Sequence, residues 1–297
     1  MRDFAPIRRK RRRFDDEDET YQRTAPGHVP AEERLDDATD GLTGGERWSS
    51  WDVSAAGERG PKPYPPWLVT ELAAVDTELG VLKTGKEADV HLLRRAVPGT
   101  DRSCLLANKR YRSSEHRMFH RDAGYLEGRR VRRSRENRAM ARRTEFGRQM
   151  IAGQWAQAEF GALTRLYSAG VPVPYPVQIL GTELLMEFLD EEDGAAAPRL
   201  AQVRDGLSEL WDQLVDALVT LSRLGLAHGD LSPYNLLVHR GRLVLIDLPQ
   251  IVDVVANPQG PEFLERDTKV VATWFAARGV PDTERLPELL SREAGLR

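Results

Sequence analysis

Cysteine is nearly missing from this chain, Cys104 being the only one. A single thiol excludes an intramolecular disulfide and a multi-cysteine zinc site, which suits a reducing compartment and leaves inert packing as its simplest role. Long apolar runs are missing as well: nothing approaches the roughly 18 unbroken apolar residues of a membrane-spanning helix, so no membrane partner is expected. An excess of either charge is missing too. The 43 Lys and Arg nearly balance 46 Asp and Glu, and the net charge of -3 argues against a globally basic nucleic-acid binder. What is present is 297 residues, 40% hydrophobic and 30% charged, enough for one large domain or two modest lobes with real cores.

The near-neutral balance hides segregation. RRKRRRF (Arg8 to Phe14) runs directly into DDEDE (Asp15 to Glu19), and charge blocks of that density self-solvate rather than pack. Large apolar residues are sparse from Met1 to Pro66, and no apolar stretch follows Arg13 to make an export signal. Residues 1–66 therefore read as a charged, mostly disordered extension, with Trp48, Trp51 and Trp67 as anchors laid on the domain behind it. That domain is expected over residues 67–297. EADVHLLRR and SCLLANKRY read as a hairpin, VQIL and ELLMEFL as a second turning at Gly181 and Thr182, and LLVHRGRLVLIDL as a third turning at Arg240 and Gly241. Leu207, Leu210, Trp211, Leu214, Leu218 and Leu221 recur at helical spacing and mark a core-facing helix that ends near Gly225. Between the first two hairpins, Arg129, Arg130, Arg132, Arg133, Arg135, Arg138, Arg142 and Arg143 crowd one stretch. Its plain reading is a solvated connection, and its functional reading is a surface for RNA or a ribonucleoprotein.

The chemistry is concentrated in HGDLSPYNLLVHRGRLVLIDLPQ, His228 to Gln250, which sets Asp230, Asn235 and Asp247 on a loop and its following hairpin. Phosphoryl transfer needs a carboxylate to orient or deprotonate the acceptor and oxygen ligands to hold Mg²⁺ on the nucleotide phosphates. Asp-x4-Asn followed by an Ile-Asp strand end is the order found in kinase catalytic and metal loops. The upstream half supplies a phosphate-covering loop in KTGKEADV (Lys83, Thr84, Gly85, Lys86, Glu87, Ala88 and Val90), although of G-x-G-x-x-G-x-V only Gly85 and the valine survive. Lys109 on the next strand can neutralise phosphates, and Glu159 in the following helix can pair with it. Singly, surface lysines and helix glutamates are commonplace; their order gives them weight. The same loop also has the G-x4-G-K spacing of a P-loop from Gly80 to Lys86, but Glu87 stands where a Ser or Thr hydroxyl would be needed, so coincidence is the better account. His228 reads as a brace for the loop rather than a base or ligand, and no zinc is implied.

From about Trp67 to Phe275 the sequence resembles the RIO family of atypical protein kinases, through TGKEADV, the Arg-rich segment, the WA-x-x-E helix, HGDLSPYN, IDLPQ and FLERD. The resemblance implies an α+β, two-lobed protein-kinase-like fold of minimal type. A small, mainly antiparallel β N-lobe would span about 67–189 and a mainly helical C-lobe about 190–297. It implies ATP and Mg²⁺ as cofactors, with Mn²⁺ as a substitute ion, and an enzyme that autophosphorylates or hydrolyses ATP and phosphorylates Ser or Thr of an unidentified protein partner. Asp230 would be the catalytic base, Asn235 and Asp247 the metal ligands, and Lys109 with Glu159 the phosphate-positioning pair. Glu187, Phe188 and Leu189 would offer backbone hydrogen bonds to adenine, with Met186 as gatekeeper, and Asp247 could itself accept phosphate transiently. Gly229 replaces the family's commoner alanine and Pro233 its commoner glutamate. Residues 1–66 offer no winged-helix domain, so the likeness is to the subfamily lacking one, in a cytoplasmic protein. No A-P-E sequence follows Asp247 before Arg297, which puts ordinary peptide docking in doubt. Two other readings are a small-molecule kinase of aminoglycoside or choline type, whose acceptor-binding insertion is not apparent, and an ATP-gated adaptor for RNA or protein.

Overall fold

The structure is a computed structural model that describes residues 45–112 and 145–296. The Arg129–Arg143 stretch and the charge blocks before Gly45 lie outside the described residues. Six antiparallel strands form the N-terminal sheet in the order β1-β2-β3-β4-β6-β5. They are β1 (Glu46–Trp48), β2 (Val75–Thr84), β3 (Ala88–Ala96), β4 (Ser103–Tyr111), β5 (Pro176–Leu180) and β6 (Glu183–Glu187). Helix α1 (Glu145–Ser168) lies between β4 and β5 in the chain. Successive strand residues point to opposite faces, so the sheet builds two apolar layers. Ala88, Tyr111, Ile179 and Leu184 pack with Ala152, Ala156, Phe160 and Leu163 of α1. Leu93, Leu106, Val177 and Leu185 pack instead with Trp51, Leu68, Val69 and Ala74.

That second layer corrects the expectation that packing begins at Trp67. β1 pairs with β2, the Arg59 backbone bridges to Gln178 on the far edge of the sheet, and the Gly60 N–H donates to Val177 O at 2.9 Å. Residues 45–66 thus cross the sheet from edge to edge. Beneath them Arg95 holds both oxygens of Asp76 at 2.6 and 2.8 Å and donates to Gln178 at 3.1 Å, while the Gln178 amide donates to Ser50 Oγ at 2.8 Å. Trp51 is the one buried member of the anticipated tryptophan anchors, at 5% exposed, against 37% for Trp48 and 36% for Trp67. Average composition concealed this because backbone pairing and one well-placed indole, rather than many apolar residues, attach the segment.

The C-terminal half is helical around the stripe seen in the sequence. Leu210, Trp211, Leu214, Leu218 and Leu221 of α2 (Leu207–Arg223) are buried. They join Leu264, Val271 and Phe275 of α3 (Gly260–Ala276) and Leu286 and Leu290 of α4 (Leu286–Glu293), with Trp211 and Phe275 ring centres 5.0 Å apart. Gly225, at φ 73, turns the chain out of α2 into β7 (Leu226–Ala227), which pairs with β10 (Val252–Asp253). Between them stands the hairpin of β8 (Leu236–His239) and β9 (Arg242–Leu245), whose turn residues Arg240 and Gly241 both take positive φ, 50 and 76. Two loops, 228–235 and 246–251, are thereby fixed side by side. The P-loop alternative is removed: Gly80 lies inside β2, and the turn containing Lys86 leads into another strand instead of a helix. Among the described residues no helix is long and apolar enough to cross a membrane.

Candidate active site

Lys109 and Tyr111 share one face of β4, which is turned toward α1. The Lys109 ammonium lies 2.8 Å from Glu159 Oε2 of α1 and 2.7 Å from Asp247 Oδ1 in the loop after β9. Burial by itself would lower the Lys109 pKa, but the charges of Glu159 and Asp247 outweigh it and hold the ammonium firmly protonated. Burial would likewise raise the Asp247 carboxyl, yet the charge and hydrogen bond of Lys109, with Lys83 adding to them, keep it below its ordinary value. Glu159 is 1% exposed and collects further donors: the Leu248 N–H at 3.2 Å on Oε1 and the Tyr111 hydroxyl on Oε2. Asp247 occupies the left-handed region at φ 67, where a non-glycine residue is uncommon.

The loop that carries Asp230 is held from three sides. His228, 1% exposed, places Nε2 at 3.0 Å from Ile246 O, while the Asp230 N–H points at Nδ1 from 3.4 Å. An acceptor Nδ1 puts the ring proton on Nε2, so His228 bridges the two loops as a brace. From α3, Asp267 accepts the N–H groups of Gly229 at 2.6 Å and Leu231 at 3.2 Å, and Arg266 donates to the Gly229 carbonyl. Burial raises the Asp267 carboxyl, with the two backbone donors and the Arg266 charge opposing. Asn235 donates its amide to Asp230 O at 2.9 Å and Asp230 Oδ2 at 3.3 Å, which commits its NH₂ inward and leaves Oδ1 as the oxygen it can offer a ligand. The Asp230 side chain belongs to an exposed residue, open to an acceptor.

Among the described residues no group of three or more His, Cys, Asp or Glu forms a metal cluster. Asn235 and Asp247 are hard oxygen donors on adjoining loops, and so sparse a protein set fits Mg²⁺, which keeps waters and takes phosphate oxygens for the rest. The glycine-containing turn connects β2 to β3 with the Gly85 N–H donating to Ala88 O at 3.0 Å. A side chain at Gly85 would stand 2.8 Å from that same oxygen, so the tight turn accounts for this glycine. Lys83, Thr84, Lys86 and Glu87 are exposed around the turn, Ala88 is buried and Val90 half-buried. In β6, Met186 pairs across to Ala107 and Pro176 and packs on the main core. The Glu187 N–H is taken by Tyr175 O at 2.9 Å and the Leu189 carbonyl accepts from Ala197 N–H at 2.9 Å, while Phe188 is half-buried. Two of the backbone groups of the expected adenine strand are therefore engaged within the protein.

The motifs thus bring Lys109, Glu159 and Asp247 into direct contact and place Asp230 against Asn235. Sequence reasoning missed Tyr111 and Asp267. Tyr111 carried a signal, since i and i+2 on a strand share a face with Lys109; Asp267 was visible only as part of FLERD.

A curled antiparallel sheet, one helix supplying a glutamate to a strand lysine, and a helical lobe bearing Asp-x4-Asn and Ile-Asp loops define a protein-kinase-like domain. Comparison with known proteins narrows the class. The RIO domain profile matches residues 102–288. The RIO-type serine/threonine-protein kinase Rio1 of Haloferax volcanii is 35% identical over 225 residues, 74% of this chain and 71% of the relative. Serine/threonine-protein kinase RIO1 of Saccharomyces cerevisiae is 30% identical over 226 residues, covering 68% of this chain but only 44% of the yeast protein. The chain belongs to the RIO family. A crystal structure of Rio2 kinase from Chaetomium thermophilum, in an ADP/Mg²⁺-phosphoaspartate complex, superimposes at a TM-score of 0.50 with 20% identity, over 74% of this chain and 64% of that one, and shows the shared fold.

Proposed function

We propose that this chain is an ATP- and Mg²⁺-dependent phosphotransferase of RIO type, and that its acceptors are its own Asp247 and Ser or Thr of a protein partner. The observation that carries this reading is the contact of Lys109 with both Glu159 and Asp247 within 2.8 Å, beside the loop that presents Asp230. Lys109 would bind phosphate oxygens. Asn235 Oδ1 and the Asp247 carboxylate would hold the ion, Mg²⁺ or in its place Mn²⁺, whose charge offsets that of the nucleotide phosphates. Asp230 would accept the proton of an incoming hydroxyl. For Asp247 as acceptor, a carboxylate oxygen forms the bond to the γ-phosphorus as the bond to the β–γ bridging oxygen breaks, ADP leaves, and water later cleaves the acyl phosphate. Support comes from the relatives, which are named kinases, and from the phosphoaspartate in the Rio2 complex. RNA or ribonucleoprotein contact would enter through the Arg-rich segments, the basic block Arg8 to Arg13 and the Arg129–Arg143 stretch, and a linear fall of log affinity with log salt would test it.

The deciding experiment incubates the protein with γ-labelled ATP and Mg²⁺ and compares it with Asp230→Asn and Asp247→Asn. Label that hydroxylamine removes and that Asp247→Asn abolishes is expected. Stable label on Ser or Thr alone removes Asp247 as acceptor, and absence of both label and ATP turnover removes the enzymatic reading.

A further inference from the structure

We infer that Tyr111 is a positioning residue for nucleotide binding: its hydroxyl fixes the Glu159 carboxylate to the sheet, so that helix α1 stays docked while Lys109 exchanges Asp247 for a phosphate, an assignment that rests on the nucleotide reading above. Tyr111 is 6% exposed and its hydroxyl donates directly to Glu159 Oε2. Its backbone N–H is tied to Thr182 O at 3.0 Å, in the turn between β5 and β6, so the phenol is presented from a rigid strand. The Lys109 ammonium lies 5.3 Å from the centre of the same ring.

The need for such a donor follows from the competition at Lys109. Its ammonium is shared between Glu159 and Asp247, and a phosphate can enter only by taking over part of that coordination. A buried carboxylate left with one mobile cation as its partner would lose compensation whenever that cation turned away, which is strongly unfavourable. Glu159 avoids this because two donors do not move with Lys109: the Tyr111 hydroxyl from β4 and the Leu248 N–H from the metal loop. One carboxylate thereby joins α1, the sheet and the loop of Asp247. Burial and the adjacent Glu159 charge disfavour the phenolate, so Tyr111 stays a donor across the accessible pH range.

Tyr111→Phe keeps the ring and deletes only the hydroxyl. The dissociation constant for ATP is expected to rise about tenfold, the scale of one hydrogen bond to a charged group, with kcat changed less than about twofold. In a Glu159→Gln background the same substitution should change ATP affinity little, because the hydroxyl acts through the carboxylate. Amide exchange of Leu248 and of residues 152–163 should quicken in the ligand-free Phe variant. Unchanged affinity, an equal loss in the Glu159→Gln background, or a Phe variant that no longer melts cooperatively would each overturn the assignment, the last by making Tyr111 a residue of the fold alone. Should the wild type bind no ATP, the nucleotide reading falls and exchange alone decides: faster exchange keeps the lock, and wild-type exchange removes it.

Discussion

Asp267 accepts the Gly229 N–H at 2.6 Å, so a buried carboxylate on α3 holds the backbone one residue before Asp230. The same carboxylate takes the Leu231 N–H at 3.2 Å, on the other side of Asp230. Asp267→Asn would replace one acceptor oxygen by a donor, leaving a buried N–H unmatched. The expected result is a loss of about 1–3 kcal/mol in stability, read by urea unfolding, with kcat falling more than the ATP affinity because Lys109 and Glu159 are untouched.

Gly229 faces a second constraint from the metal loop. Its φ is 86, and a Cβ there would lie 2.1 Å from the Gln250 carbonyl oxygen. Backbone cannot yield as a flexible side chain can, so Gly229→Ala must shift either the Asp230 loop or the Asp247 loop. ATP turnover should drop at least about tenfold, with a cost of roughly 1–2 kcal/mol from the left-handed backbone alone, measured by steady-state kinetics and denaturation. The alanine common at this position in the resembled family makes the test sharp: undisturbed turnover would show that these two loops part easily.

Much of the site was legible because the chemistry is written in contiguous stretches. Asp230 and Asn235 are five residues apart on one loop, and Asp247 closes the next hairpin, so local spacing alone brings them near. Lys109 and Glu159 needed the order of elements, which the first hairpin and the following helix supplied. Asp267 was different: its contact with Gly229 crosses 38 positions and depends on how α3 packs against β7. Residues 45–66 were illegible for another reason. Their attachment comes from strand pairing and from the polar chain Arg95, Asp76, Gln178 and Ser50, none of which registers as hydrophobic patterning.

Trp51 tests that attachment. It is 5% exposed, meets Tyr64 edge-on at 5.0 Å between ring centres and carries Arg59 over its face at 5.0 Å. Trp51→Ala should cost about 3–5 kcal/mol, the range for emptying a buried aromatic site, whereas Trp48→Ala, at an exposed position, should change stability by no more than about 0.5 kcal/mol. Equal, small effects in chemical denaturation would mean that the segment does not belong to the folded unit.

Glu183 gives a pH signature of the same attachment. Its carboxylate meets Arg47 of β1 at 2.7 Å and Arg110 of β4 at 3.0 Å, and it accepts from Asn108 at 3.3 Å. Burial acts to raise its pKa, but the two guanidinium groups and the Asn108 amide outweigh that and bring it below the ordinary value of 4.5. A carboxyl whose pKa is lower folded than unfolded binds fewer protons in the native state. Its stabilising contribution is therefore complete above the unfolded value and is lost as pH falls through the folded one. Wild type should lose stability on acidification from about pH 5 downward, and Glu183→Gln should begin less stable near neutrality yet lose less over the same descent. Arg47→Ala should flatten the curve in the same sense, because half of the charge that lowers the carboxyl comes from the segment before Trp67. Urea midpoints measured across that descent for the three proteins decide it: parallel curves for wild type and Glu183→Gln would remove Glu183 as the titrating group, and an Arg47→Ala curve matching wild type would remove β1 from the clamp.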